Sequence, residues 1–148
     1  MSLAFRNLNI SADAPVREWP TEAMQTALER GELSDWRRIA RELRRDPWGP
    51  TARQLGHVLS YSRPYGVAEL MEGLLDRARR QAEDDEQEHI AAQIRQAVTE
   101  SGLSKAEFAA NIGTSGSRLS TYLSGKVTPS ATLMLRILKT AERLRSTH

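Results

Sequence analysis

Apolar residues recur along this chain at spacings of three and four positions, and sustained alternation of apolar and polar residues is found nowhere. Spacings of three and four place side chains on one face of an α-helix, whereas alternation places them on one face of a strand. Prolines and glycines divide the pattern into separate segments. The sequence therefore predicts an all-α fold that is built from several helices.

Between residues 20 and 78 the spacing predicts a helical module that serves as a partner-binding or dimerisation unit. Hydroxyl residues that can cap a helix, and prolines that cannot continue one, set the expected boundaries. The predicted segments are a helix over 22–30 capped by Thr21, a helix over 35–45 capped by Ser34, a helix opened by Thr51, a loop over 60–66 and a helix over 67–78.

Two stretches lack an apolar face. Residues 1–19 show no sustained period, which predicts an extended or loosely held arm. Residues 79–89 are highly charged and favour a helix by propensity, but they have no side to bury. We interpret residues 79–89 as a charged helical linker, either a solvated connection or the exposed middle of a long helix.

The stretch after residue 100 has the most informative pattern. Ser104 followed three residues later by Glu107 is a capping box, which starts a short helix. Gly113 can adopt the positive φ of a tight turn, and Ser115 can then cap a second short helix that ends at Gly125. Two short helices joined by a glycine turn are the signature of a helix-turn-helix.

Several short blocks in this stretch occur at mutually consistent spacings: Gly102-Leu103-Ser104-Lys105, Glu107-Phe108-Ala109, Ile112-Gly113-Thr114-Ser115, Leu119-Ser120, Tyr122, Ser124-Gly125-Lys126 and Pro129-Ser130. With these blocks, residues 88–145 resemble the Cro/Xre-type helix-turn-helix family of bacterial and phage DNA-binding regulators. The resemblance implies a DNA-binding domain over residues 90–145. Lys105 stands where the family usually has Gln, and the family's fifth helix is expected to be missing or replaced.

The second short helix predicts the reading surface. At about 100° per residue, Leu119, Tyr122 and Leu123 share a core-facing side, which leaves hydroxyl residues on the opposite side. The resemblance implies that Gly116, Ser117 and Thr121 lie where bases are read. Because these side chains are short, we expect limited direct readout, with phosphate contacts and DNA shape supplying much of the binding. The candidate DNA-binding residues are Lys105, Ser115, Gly116, Ser117, Arg118, Ser120, Thr121 and Lys126.

Charge is divided unevenly along the chain. Residues 101–148 hold seven basic and two acidic residues, whereas residues 81–100 hold one basic and six acidic residues. The overall net charge of +2 therefore conceals a basic C-terminal third, which suits a polyanionic partner such as double-stranded DNA.

Other chemistries have little support in the sequence. The chain has no cysteine, and His57, His89 and His148 are scattered without ligand spacing, so we expect no metal and no cofactor. Nothing fixes a catalytic constellation, so we do not expect an enzyme. No long apolar run or leader pattern is present, which predicts a cytoplasmic protein with no membrane contact.

We therefore interpret the chain as a sequence-specific transcriptional regulator that acts as a repressor. A homodimer is expected because one short helix reads too few bases for useful specificity. An alternative comes from Asp35–Ala40 and Asp46–Pro50, which resemble N-terminal modules of actinobacterial toxin–antitoxin regulators. That resemblance implies an antitoxin that sequesters a nucleotidyltransferase-like toxin through residues 20–78 and autoregulates its operon. A further alternative is a scaffold that contacts only proteins.

The second predicted helix is rich in arginine: Arg37, Arg38, Arg41, Arg44 and Arg45. These side chains could contact phosphates, bind an acidic partner or form a solvated helix back, and the sequence leaves the three alternatives open.

Overall fold

The computed structural model describes residues 10–146, and its regular secondary structure there is helical throughout, as predicted. A short 3-10 helix at Val16–Glu18 precedes seven α-helices: α1 (Thr21–Arg30), α2 (Leu33–Arg45), α3 (Pro50–Leu59), α4 (Val67–Ser101), α5 (Lys105–Asn111), α6 (Gly116–Leu123) and α7 (Ala131–Ser146). Residues 1–9 of the predicted arm and His148 lie outside the described residues. Within residues 10–146, no helix has the length and apolar character needed to cross a membrane.

The chain divides into two compact units, and the division falls between Ala82 and Glu83. Both positions lie inside α4, which contributes its first half to one unit and its second half to the other. The stretch 79–89 is therefore the middle of a long helix rather than a solvated connection. It contains no proline or glycine to end the helix, and its side chains from Glu83 to His89 are exposed.

The first unit packs α1, α2, α3 and the first half of α4 around one core. Trp36, half-buried on α2, also donates its indole N–H to the carbonyl of Ala27 on α1 at 2.9 Å. Apolar residues at helical spacing fill the interior, and the largest fully buried ones are Met24, Leu28, Ile39, Leu43, Leu55, Val58 and Met71.

The prediction of a loosely held arm does not describe residues 10–19. Val16 and Trp19 are buried in the core of the first unit. The guanidinium of Arg38 donates to the carbonyls of Ala12 and Ala14 at 2.7 and 2.9 Å, and it lies 5.2 Å from the centroid of the Trp19 ring. These contacts are made with residues that are distant in the sequence. The apolar spacing within residues 10–19 therefore could not indicate them.

Two predicted helix caps are also wrong. α1 begins at Thr21 itself after Pro20, without a side-chain cap. α2 begins before Ser34, because Glu32 and Asp35 form a capping box in which the Glu32 amide donates to Asp35 Oδ2 at 2.9 Å. A carboxylate at each position serves here in the way that Ser and Glu usually do.

The second unit packs the second half of α4 against α5, α6 and α7. Its buried residues are Ile94, Ala97, Phe108, Ala109, Ile112, Leu119, Tyr122, Ile137 and Ala141. They include Leu119 and Tyr122 from the predicted core-facing side of α6, whose third member, Leu123, is partly buried against this core. This core fixes α6 by one face and leaves the other face outside.

Candidate nucleic-acid interface

The turn between α5 and α6 is built from the capping residues and the glycine that the sequence indicates. The Glu107 amide donates to Ser104 Oγ at 3.2 Å, and the Ser104 amide donates to Glu107 Oε1 at 3.3 Å. Gly113 has a φ of 77°, in the left-handed region that favours glycine. The Thr114 amide then returns to the carbonyl of Ala109 at 2.9 Å. The predicted capping box and positive φ are both confirmed.

Ser115 caps α6, as predicted. Its hydroxyl oxygen accepts a hydrogen bond from the Arg118 amide at 3.1 Å and lies 3.3 Å from Ser117 Oγ. Because the cap occupies this oxygen, Ser115 serves first to start the helix.

Two arginines that the sequence prediction missed hold the ends of this helix pair. Arg95 on α4 donates to the carbonyl of Leu123 at 2.7 Å and pairs with Glu88 at 2.7 Å. Arg136 on α7 donates to the carbonyl of Ile112 at 2.9 Å. Each guanidinium satisfies a carbonyl at a helix end, where no intrahelical partner exists.

The outer face of α6 is polar and open. Leu119 and Tyr122 are buried, and Thr121 is half-buried. The exposed positions of the helix are the predicted ones: Gly116, Ser117, Arg118 and Ser120.

Two of the hydroxyls on this face donate to the backbone of their own helix. Ser120 Oγ donates to the carbonyl of Gly116 at 3.1 Å, and Thr121 Oγ1 donates to the carbonyl of Arg118 at 2.6 Å. A hydroxyl that donates in this way keeps its lone pairs. The face therefore presents acceptors to a bound molecule.

The comparisons with known proteins identify this region. Residues 89–145 match the family model of a helix-turn-helix domain. The chain carries a C-terminal helix-turn-helix domain. The comparisons with curated proteins and with solved structures found no match.

Within the helix-turn-helix domain, α6 is the second helix of the pair. A shallow concavity along it is lined by Ser115, Ser117, Arg118, Thr121, Tyr122 and Val127. Four of the eight candidate residues are thus brought together. Gly116 and Ser120 lie on the same helix, Lys126 follows Gly125 after its end, and Lys105 begins α5 outside the concavity.

Within the described residues, five cations of the helix-turn-helix domain are available for a partner, and two of them, Lys139 and Arg143, lie on α7. Like these two, Lys105, Arg118 and Lys126 are exposed, and their side chains make no ion pair or hydrogen bond among residues 10–146. They contrast with Arg95 and Arg136, which the fold itself uses.

Val127 is a lining residue that the sequence prediction missed. The residue is 48% exposed, and its amide donates to the carbonyl of Thr121 at 3.2 Å. The only sequence signal is an apolar residue between Lys126 and Thr128, outside any helical stripe.

Proposed function

We propose that the helix-turn-helix domain binds double-stranded DNA with α6 in the major groove. A helix with its side chains is about 10–12 Å wide, and the major groove of B-form DNA is about 12 Å wide. The observation that carries the proposal is the one-sided burial of α6. Leu119 and Tyr122 anchor it, while its polar face stays open beside Arg118, whose side chain has no partner among residues 10–146.

Arg118 is the main direct reader in this proposal. An arginine can donate two hydrogen bonds to guanine O6 and N7, the commonest specific contact in the major groove. Gly116 allows close approach of the backbone, and Val127 offers an apolar contact for a thymine methyl group.

Lys105 and Lys126 contact phosphates in this proposal. They lie at the start of α5 and beyond the end of α6, and their charges are not paired within the part of the chain that the structure describes. Phosphate contacts fix the register of the protein on the duplex but carry no base information. Substitution of either lysine is therefore expected to weaken binding to all sequences alike.

We further propose that the chain acts as a homodimeric, Cro/Xre-type repressor. A single eight-residue helix reads few base pairs, and two copies would read half-sites about 10 base pairs apart. A repressor of this kind works in the cytoplasm of a bacterium and needs neither catalysis nor a cofactor. The expected operator is a palindrome.

Selection of bound duplexes from a random pool tests the DNA-binding proposal. The pool is selected with the wild-type chain, with Arg118→Ala and with Thr121→Gln. Arg145→Ala is the matched control, because it removes the same charge from an arginine that already pairs with Glu100 at 2.9 Å.

The reading-face variants are expected to change the preferred bases by about 1–3 kcal/mol per affected pair, or roughly 5- to 150-fold, and the control is expected to keep the wild-type preference. If Arg118→Ala and Thr121→Gln kept both the preference and the affinity of the wild type, α6 would not be the reader.

A protein-binding role of the first unit, as in an antitoxin, is the second candidate function. The observation that favours it is a group of exposed aromatic and apolar side chains around the connection from α3 to α4: Tyr61, Tyr65 and Leu70. Exposed tyrosines are enriched at the centres of protein interfaces.

Co-expression with the neighbouring reading frame tests this second function. The expected result is a complex that Tyr61→Ser/Tyr65→Ser weakens and Ser60→Ala leaves intact. A neighbour that is not nucleotidyltransferase-like would refute the specific toxin pairing.

A further inference from the structure

The five arginines of α2 fall into two groups in the structure. Arg38 is bound to two backbone carbonyls, and Arg45 forms a two-point hydrogen-bonded pair with Glu42 at 2.5 and 2.9 Å. The other three are exposed and make no hydrogen bond or ion pair among residues 10–146: Arg37, Arg41 and Arg44. We name these three residues the α2 arginine stripe.

The α2 arginine stripe lies along one side of its helix. Its three residues are four and three positions apart, so they fall within an arc of about 60° around the helix axis. The stripe extends over roughly 10 Å along that axis. None of the residues three or four positions away from its members is acidic. Like charges one helical turn apart destabilise a helix, so the stripe is unfavourable in the free protein, and a bound anion would relieve the repulsion.

A neighbouring groove extends the positive surface. Its volume is about 400 Å³, and four arginines line it: Arg17, Arg38, Arg41 and Arg45. The one acidic residue that lines it is Glu42, whose carboxylate already pairs with Arg45. An approaching anion therefore meets positive charge along both the groove and the stripe.

We propose that the α2 arginine stripe binds phosphates of a DNA backbone, as a second contact beyond the helix-turn-helix domain. This inference rests on the proposed function. Guanidinium groups present a planar pair of donors that matches phosphate oxygens. Once the helix-turn-helix domain is bound, the first unit is tethered to the same duplex, which raises the effective concentration of phosphate at the stripe.

The salt dependence of DNA binding tests the inference in the full-length chain. The test variant is Arg37→Gln/Arg41→Gln/Arg44→Gln. The matched control is Arg30→Gln/Arg77→Gln/Arg80→Gln, which removes the same charge from three other exposed arginines of the first unit. Affinity for a selected duplex and for a random duplex is measured by fluorescence anisotropy over a series of salt concentrations.

Affinity falls as salt rises, and each phosphate contact adds about 0.9 to the steepness of the plot of log affinity against log salt concentration. Loss of three contacts should therefore make the plot shallower by about 2.7. Between roughly 50 and 200 mM salt, wild-type affinity is then expected to fall about 40-fold more than that of the stripe variant. The control variant should keep the wild-type slope. Lysine at the same three positions should restore most of the slope, because the charge is retained.

Equal slopes for the stripe variant and the wild type would overturn the inference while leaving DNA binding by α6 intact. Equal losses in both triple variants would also overturn it, since the effect would then be one of net charge. Binding to polyglutamate, measured in the same assay, tests an acidic protein as the partner. If the stripe variant lost polyglutamate binding but kept wild-type DNA binding, the stripe would be assigned to an acidic protein instead. A wild-type chain that binds no DNA would refute the proposed function together with this inference.

If the triple variant unfolds, as judged by circular dichroism, single Gln variants replace it. Each is expected to make the plot of log affinity against log salt concentration shallower by about 0.9.

Discussion

Replacement of Gly113 by alanine probes the turn that sets α6 against α5. Gly113 has a φ of 77°, which L-residues with a side chain rarely adopt. A Cβ atom at this position would lie 3.3 Å from Nη1 of Arg136, the nitrogen that donates to the carbonyl of Ile112. The substitution therefore strains the backbone and crowds the guanidinium that supports the turn.

The expected loss combines these two effects. The left-handed conformation costs about 1–2 kcal/mol for a residue with a Cβ atom. Displacement of Arg136 adds up to about 1 kcal/mol, the usual net value of one hydrogen bond. A lower conformational entropy of the unfolded chain offsets about 0.4–1 kcal/mol. The free energy of unfolding of the second unit should thus fall by about 1–2 kcal/mol, which lowers its melting temperature by roughly 4–16 °C for a unit of this size.

Thermal melts followed by far-UV circular dichroism measure the change, with Gly116→Ala as the matched control. Gly116 lies in the first turn of α6 without a positive φ, and a Cβ atom there meets nothing within 4 Å. The control should melt at or slightly above the wild-type temperature, because alanine favours a helix. Gly113→Asn should fall between alanine and wild type, since Asn tolerates the left-handed region. A Gly113→Ala protein as stable as the wild type would refute the reasoning.

Three further substitutions have expected outcomes. Ser62→Ala should lower the free energy of unfolding by about 0.5 kcal/mol at pH 7, because it removes the 2.7 Å hydrogen bond to Glu29, whose exposure to solvent screens the interaction. That hydrogen bond also lowers the pKa of the Glu29 carboxyl. Since that pKa is lowered, the deficit should shrink in urea unfolding as pH falls below the ordinary carboxyl value. Leu119→Ala should leave a cavity that lowers the free energy of unfolding by about 2–5 kcal/mol, as measured in thermal melts. Binding assays should show that it weakens binding to all DNA sequences equally. Arg95→Met should lower the free energy of unfolding by about 1 kcal/mol, because the hydrogen bond to the carbonyl of Leu123 is lost. The slope of log DNA affinity against log salt concentration should stay unchanged.

The sequence predicted the helix-turn-helix well because its boundaries depend on short-range bonds. The capping bonds of Ser104 and Ser115 each join residues three positions apart, and the positive φ of Gly113 belongs to one residue. Such features are visible in a window of a few residues. The same rules failed at Thr21, because a nearby hydroxyl residue need not provide the cap.

Long-range arginine contacts could not be predicted. Arg95 and Leu123 are 28 residues apart, and the contacts of Arg136 and Arg38 with Ile112 and Ala14 each span 24 residues. Their acceptors are backbone carbonyls, which every residue has, so no residue type marks the partner. For the same reason, the sequence alone could not separate structural arginines from those left available for a partner.

The candidate reading residues were also predictable only in part. Helical periodicity indicated which side chains of α6 point outward, but it did not indicate the cap on the Ser115 hydroxyl or the exposure of Val127. The cap depends on the local φ and ψ angles of Ser115. The exposure of Val127 depends on how the loop after α6 returns toward Thr121.

The free-state bonds of α6 determine which contacts can discriminate between bases. For a hydroxyl to donate to a base, Thr121 must first give up its 2.6 Å bond to the carbonyl of Arg118, which offsets about 0.5–1.5 kcal/mol of any gain. The guanidinium of Arg118 has no such bond to break among the described residues, and a two-point contact to guanine provides about 1–3 kcal/mol of discrimination. The sequence preference of the domain should therefore be concentrated at the base pair that Arg118 reaches, with phosphates and DNA shape carrying the remaining affinity.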